Sequence, residues 1–131
     1  MHTLEFSYKK VVGGFAPIIP VTLAGRGDSV SVECYVDSGA VMSLFDNSSA
    51  ELLGIDWRSG KKRPFVVGDG KLIYGFVSNL HLTLGDLSFA APIAFSAELK
   101  IGFNLLGRSG IFTQFSEIAF QERRHKLVFR V

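Results

Sequence analysis

Eight residues, Ser29 to Val36, alternate without a break. Val30, Val32, Cys34 and Val36 fall on one side, and Ser29, Ser31, Glu33 and Tyr35 on the other. Period two is the pattern of a strand with one face buried and one more polar. The run ends on its buried phase, and Asp37-Ser38-Gly39-Ala40 follows at once. The fold must therefore deliver a carboxylate inward, on a tight turn, with a hydroxyl and exposed backbone N–H groups beside it.

The rest of the chain supports an all-β reading. Most apolar runs are short and bounded by Gly, Asp or Pro. Pro17 to Ala24 reads as the strand preceding Ser29–Val36, with Gly25-Arg26-Gly27-Asp28 as the turn between them. Further strands are expected at 65–67, 72–78, 81–84, 91–95, 115–120 and 127–131. Gly68-Asp69-Gly70 between two apolar strands marks a hairpin, and Glu122 to His125 marks another turn. Helix signals are few. Ser48 and Glu51 form a capping-box pair before a stop at Gly54, enough for about two turns. A second short helix is expected after Arg108.

At 131 residues the chain reads as one domain, 1–131, with enough length for a core. Apolar residues are 47%, which excludes a disordered chain. The net charge of +2 is too small to point to nucleic acid or an anionic membrane. Two basic runs, Lys61-Lys62-Arg63 and Arg123-Arg124-His125-Lys126, lie between apolar segments and read as solvated loops. The stretch Leu87 to Leu106 is broken by Pro92, Glu98 and Lys100 and fails as a membrane span. One cysteine, no internal disulfide and no signal-peptide layout together give a cytoplasmic expectation.

Asp37 is the candidate reactive group. A carboxylate held on such a turn can share a proton with a second carboxylate and activate a water. The chain has no second Asp-Ser/Thr-Gly, so the second carboxylate would come from another copy of the chain. The other glycine-flanked acids, Asp28, Asp69 and Asp86, read as turn residues. Cys34 sits on the buried phase of its strand, which argues for packing over a nucleophilic role with His81 or His125. His2, His81 and His125 lack metal-ligand spacing, and neither a metal nor another cofactor is expected. Phe65, Tyr74 and Phe76 could line a cleft or simply pack.

Val36-Asp37-Ser38-Gly39-Ala40 resembles the active-site motif of retropepsin-like aspartic proteases. Asn104-Leu105-Leu106-Gly107-Arg108 is similar to that family's second signature, two apolar residues followed by Gly-Arg. The resemblance runs from about Pro17 to Phe115. Its order is strand, Asp-Ser-Gly-Ala, short helix, Gly-rich hairpin, Leu-Leu-Gly-Arg. That order is more specific than either motif alone.

The resemblance implies an acid-protease-like half barrel with one or two short helices and a flap hairpin at 66–75. It implies a homodimeric aspartic endopeptidase acting on peptide or protein substrates, with Asp37, Ser38 and Gly39 as the catalytic turn. Ala40 and the flap residues Val67, Gly68, Asp69 and Gly70 would contact substrate. Leu105, Leu106, Gly107 and Arg108 would support the turn from behind. Val41 and Met42 stand where retroviral members carry an acidic partner for the Arg, so Arg108 must find another. The 23 residues after Arg108 look more like cellular and bacterial members. The terminal strands at 115–120 and 127–131 could build the dimer interface. The alternative is a retropepsin-like module without catalysis, serving dimerisation or peptide binding.

Overall fold

The computed structural model describes residues 2–131. A six-stranded barrel forms its centre, built from β4 (Ile18–Ala24), β5 (Ser29–Val36), β6 (Ser43–Asp46), β8 (Leu72–Leu84), β9 (Leu87–Ser96) and β10 (Asn104–Leu106). The strands run in the order β4-β5-β10-β6-β9-β8, and β4 pairs with β8 to close the ring. The strand β7 (Lys61–Val66) hangs from β8 and completes the hairpin that leaves the barrel. Closure removes the open sheet edges that would otherwise invite association.

The other elements are peripheral. The strands β1 (Thr3–Ser7), β12 (Lys126–Arg130) and β11 (Glu117–Gln121) form a three-stranded sheet in that order. The short strands β2 (Lys9–Val11) and β3 (Gly14–Ala16) make a small hairpin. The only α-helix among the described residues is α1 (Asn47–Leu52), with single 3-10 turns at Trp57–Ser59 and Phe112–Gln114.

Residue pattern explains the barrel. On β5, Cys34 and Val36 are buried while Ser29, Ser31 and Glu33 are exposed, as the alternation requires. Ile19, Val21 and Leu23 of β4 alternate inward in the same way and are fully buried. The central strands β6 and β9 have near-continuous apolar runs: Leu44-Phe45 and Ile93-Ala94-Phe95 are all buried. Their pairing is parallel, as suits strands covered on both faces. Most buried side chains join one core with Phe45, Phe95, Leu106 and Phe129 at its centre. A smaller cluster of Leu44, Ile73, Ala94 and Leu99 lies under the hairpin, with Phe65, Val67 and Leu105 against it.

Several details differ from the sequence expectation. The helix is capped by Asp46, whose carboxylate accepts from Ser48 N at 3.1 Å, and Glu51 instead accepts from Asn47 Nδ2. The expected strands at 72–78 and 81–84 are one continuous strand of 13 residues. Lys61-Lys62-Arg63 is not a loop but the start of β7. The β1, β2, β3 and β6 strands were not anticipated.

Candidate active site

The end of β5 is gripped from both sides. Val36 N donates to Pro17 O at 2.9 Å, and Asp37 N donates to Leu106 O at 3.0 Å. The second bond continues the parallel register of β10 on β5, which sets Leu105 beside Tyr35 and Leu106 beside Val36. Past Asp37 the chain folds back on itself. Gly39 N donates to the Asp37 carboxylate at 2.8 Å, and Ala40 N to the Asp37 carbonyl at 3.2 Å. The half-buried Asp37 carboxylate is thus fixed by its own turn.

The support behind the turn comes from the second motif. Leu106 is fully buried. Gly107 N donates to Ser43 Oγ at 2.9 Å, Arg108 N to Ala40 O at 2.9 Å and Ser109 N to Val41 O at 2.7 Å. These bonds tie residues 107–109 to residues 40–43 like a second strand of the turn. The approach is close enough to demand glycine: a Cβ on Gly107 would lie 2.5 Å from the Met42 carbonyl carbon. The Arg108 side chain is exposed and makes no ion pair or side-chain hydrogen bond among the described residues.

Above the turn stands the hairpin. Its ladder runs from Lys61↔Val77 to Val66↔Leu72, longer than residues 66–75. Val67 N donates to Lys71 O and Gly70 N to Val67 O at the tip, where Gly70 takes φ +84°. The Asp69 carboxylate accepts from Lys71 N at 2.9 Å, so it shapes the turn. Midway along its length the hairpin is latched to the barrel. Ser96 Oγ donates to Tyr74 O at 2.7 Å and accepts from Glu98 N, while the Glu98 carboxylate accepts from Tyr74 N at 2.8 Å.

Between turn and hairpin lies a cleft of about 1120 Å³. Among the residues singled out from sequence, Asp37, Gly39, Ala40, Val67, Gly68, Gly70 and Leu105 line it. Ser38, Asp69, Leu106, Gly107 and Arg108 do not. Sequence reasoning missed Tyr35, Met42, Leu44, Arg63, Ile101 and Phe103. The period-two pattern could have found Tyr35, which stacks on Phe103 at 5.2 Å between ring centres. Of three aromatic candidates, Phe65 lines the cleft. Tyr74 is turned outward under Lys62, and Phe76 packs edge-on against Trp57.

Other candidate chemistry lies elsewhere. Cys34 is fully buried in the core, and that burial pushes its thiol well above the ordinary range. It is therefore held as the neutral thiol, a poor nucleophile. No cluster of three or more His, Cys, Asp or Glu side chains suited to a metal occurs among the described residues. No helix among them is long and apolar enough to cross a membrane.

A closed barrel, an acidic turn backed by an apolar-apolar-Gly strand and an overhanging hairpin define the retropepsin-like fold of aspartic proteases. The solved structures agree. A retropepsin-like aspartic protease from Rickettsia conorii superposes with a TM-score of 0.64 at 16% identity, over 98% of this chain and 90% of that one. The EIAV protease complexed with the inhibitor HBY-793 gives 0.53 at 18% identity, over 71% of this chain and 82% of the protease. No family model matches the sequence, and no curated protein matches it.

Proposed function

We propose that residues 1–131 form a single-domain aspartic endopeptidase that works as a homodimer, with one Asp37 from each copy meeting at the two-fold axis. The observation that carries this reading is the Asp37 turn itself. The carboxylate accepts from Gly39 N, the Asp37 backbone N–H donates to Leu106 O, and the residue lines the floor of an apolar cleft beneath a hairpin. One carboxylate cannot perform the chemistry, and a second copy of the chain supplies the other.

Two carboxylates about 3 Å apart share one proton, because like charge makes the second ionisation costly at that separation. The ionised member removes a proton from a bound water as the water attacks the scissile carbonyl. The protonated member hydrogen-bonds the carbonyl oxygen and then passes a proton to the leaving nitrogen. Ser38 and Gly39 hold the turn, and Gly39 N keeps the Asp37 carboxylate oriented. The peptide lies extended over Ala40 and under Val67, Gly68 and Gly70, pairing with the hairpin by strand addition. Asp69 serves by shaping the tip. Leu105, Leu106, Gly107 and Arg108 act as the backing of the turn. The chemistry asks for no cofactor, and the reduced, buried Cys34 fits a cytoplasmic setting.

The test is cleavage of an unfolded protein by wild type and Asp37→Asn between pH 3 and pH 8. Cleavage by wild type alone, strongest in mildly acidic solution and declining as both carboxylates ionise, is expected. Specific activity should also fall on dilution below the dimer dissociation constant. An Asp37→Asn protein that cleaves as fast as wild type ends the proposal.

A further inference from the structure

The cleft wall is apolar almost throughout. Only two of its side chains carry charge, Asp37 on the floor and Arg63 on the hairpin. All five residues from Arg63 to Val67 line the cleft, and Arg63, Phe65 and Val67 share one face of β7 and its extension. Lys62 faces the other way, with its ammonium 4.7 Å from the centre of the Tyr74 ring.

Arg63 is also unspent. Arg130, Arg124, Lys9 and Lys126 each pair with a glutamate, and Arg58 stacks over Trp57 at 4.1 Å. Arg63 has no ion pair and no side-chain hydrogen bond among the described residues. Its cross-strand neighbour is Gly75, which has no side chain to pair with it, and the groups packed over Gly75 are the apolar Phe65, Ala94 and Leu44. A guanidinium offers a planar fork of donors matched to a carboxylate. It lies four residues, roughly 13 Å, along the strand from Val67, so an acid seated there falls several residues from a peptide group beneath the hairpin tip.

We infer that Arg63 is a specificity determinant of the cleft, selecting an extended peptide with an Asp or Glu side chain several residues from the bond placed over Asp37. The inference rests on the cleft being a peptide site. Apolar side chains fill the wall formed by Tyr35, Phe65 and Phe103, and the acid pairs with Arg63. In a two-fold dimer the same preference recurs on both sides of the centre.

The experiment measures binding apart from cleavage. Fluorescent peptides with a common apolar centre carry Glu, Gln or Lys at each flanking position in turn. Their binding to Asp37→Asn protein is read by anisotropy, and their kcat/KM with wild-type protein by cleavage. At one position or a symmetric pair, Glu should bind about three- to tenfold more tightly than Gln. In cleavage the preference should sit in KM. It should vanish when Arg63→Gln is added, turn toward Lys when Arg63→Glu is added, and shrink with salt. Equal binding of the Glu and Gln peptides at every position overturns the inference, even where wild type cleaves them. Selective binding without any cleavage upholds the role of Arg63 and removes the peptidase reading. No binding of any peptide overturns both.

Discussion

Replacing Gly107 with alanine tests whether the acidic turn is held by contact from behind. The added Cβ would sit 2.5 and 2.6 Å from the Met42 carbonyl carbon and oxygen and 2.9 Å from Ser43 N, well inside the 3.4 Å where ordinary contact begins. All three are backbone atoms, so no rotamer change relieves the collision. Residues 107–109 must part from residues 40–43 by most of an ångström. Overpacking of that kind costs about 1–3 kcal/mol, and loss of the Gly107 N–Ser43 Oγ bond adds about 1 kcal/mol. For a domain of this size about 1 kcal/mol moves the melting temperature by ~4 °C. Gly107→Ala should therefore melt ~8–16 °C below wild type by circular dichroism and lose peptide binding with it. Gly68→Ala is the control, because nothing lies within 4 Å of its Cβ and its φ is not in the left-handed region. It should melt within about 3 °C of wild type. A Gly107→Ala protein that also melts within about 3 °C of wild type refutes the reasoning.

Two other perturbations follow from single contacts. Ser96→Ala removes the hydroxyl bond to Tyr74 O and the one that holds Glu98, whose carboxylate binds Tyr74 N, so amide exchange at 73–75 should accelerate about tenfold while strands β4 and β5 keep their protection. Unchanged exchange would show that the latch holds nothing. Alkaline titration tests the buried acids. Burial raises the Cys34 thiol, and burial together with the hydrogen bond to Glu122 raises the Tyr8 phenol. The unfolded chain therefore releases these protons first. Stability is full below about pH 9 and declines above it, by about 1.4 kcal/mol per pH unit for each group that has titrated only in the unfolded state. Urea midpoints between pH 8 and pH 11 should fall less steeply for Cys34→Val and Tyr8→Phe, and equal slopes in all three proteins would contradict the assignment.

The strand leading to the acidic turn was legible because Val30, Val32, Cys34 and Val36 share a face; the same alternation puts Asp37 on the Tyr35 side, so the carboxylate lines the cleft with Tyr35 and does not point into the core as expected. The hairpin was legible through Gly68-Asp69-Gly70, whose conformational needs are local. What sequence reading missed depends on distant partners. Ser43-Leu44-Phe45 has no alternation, since β6 is buried on both faces between β9 and β10. Thr3–Ser7 becomes a strand by pairing with residues 126–130 at the far end of the chain. Ser78-Asn79 reads as a break between strands, yet the backbone continues through them because Ile93 and Pro92 stand opposite. Lys61-Lys62-Arg63 reads as solvated charge, and only its pairing with Gly75 to Val77 turns one of the three toward the cleft. At the helix, Asp46 competes with Ser48 for the cap and wins by accepting from Ser48 N.

The bond from Asp37 N to Leu106 O has a consequence for how the protein comes into being. It joins positions far apart in the chain, as do the parallel pairings of β5 with β10 and β6 with β9. Such non-local pairing carries a large loop-closure cost and places the region among the slow steps of folding. A nascent chain on the ribosome that has not yet reached Leu106 carries the Asp37 turn with no strand behind it. No excised fragment ending before that point can present the turn either. The acidic turn is a property of the finished barrel, and a cell making this chain meets it only after the last barrel strand has threaded into place.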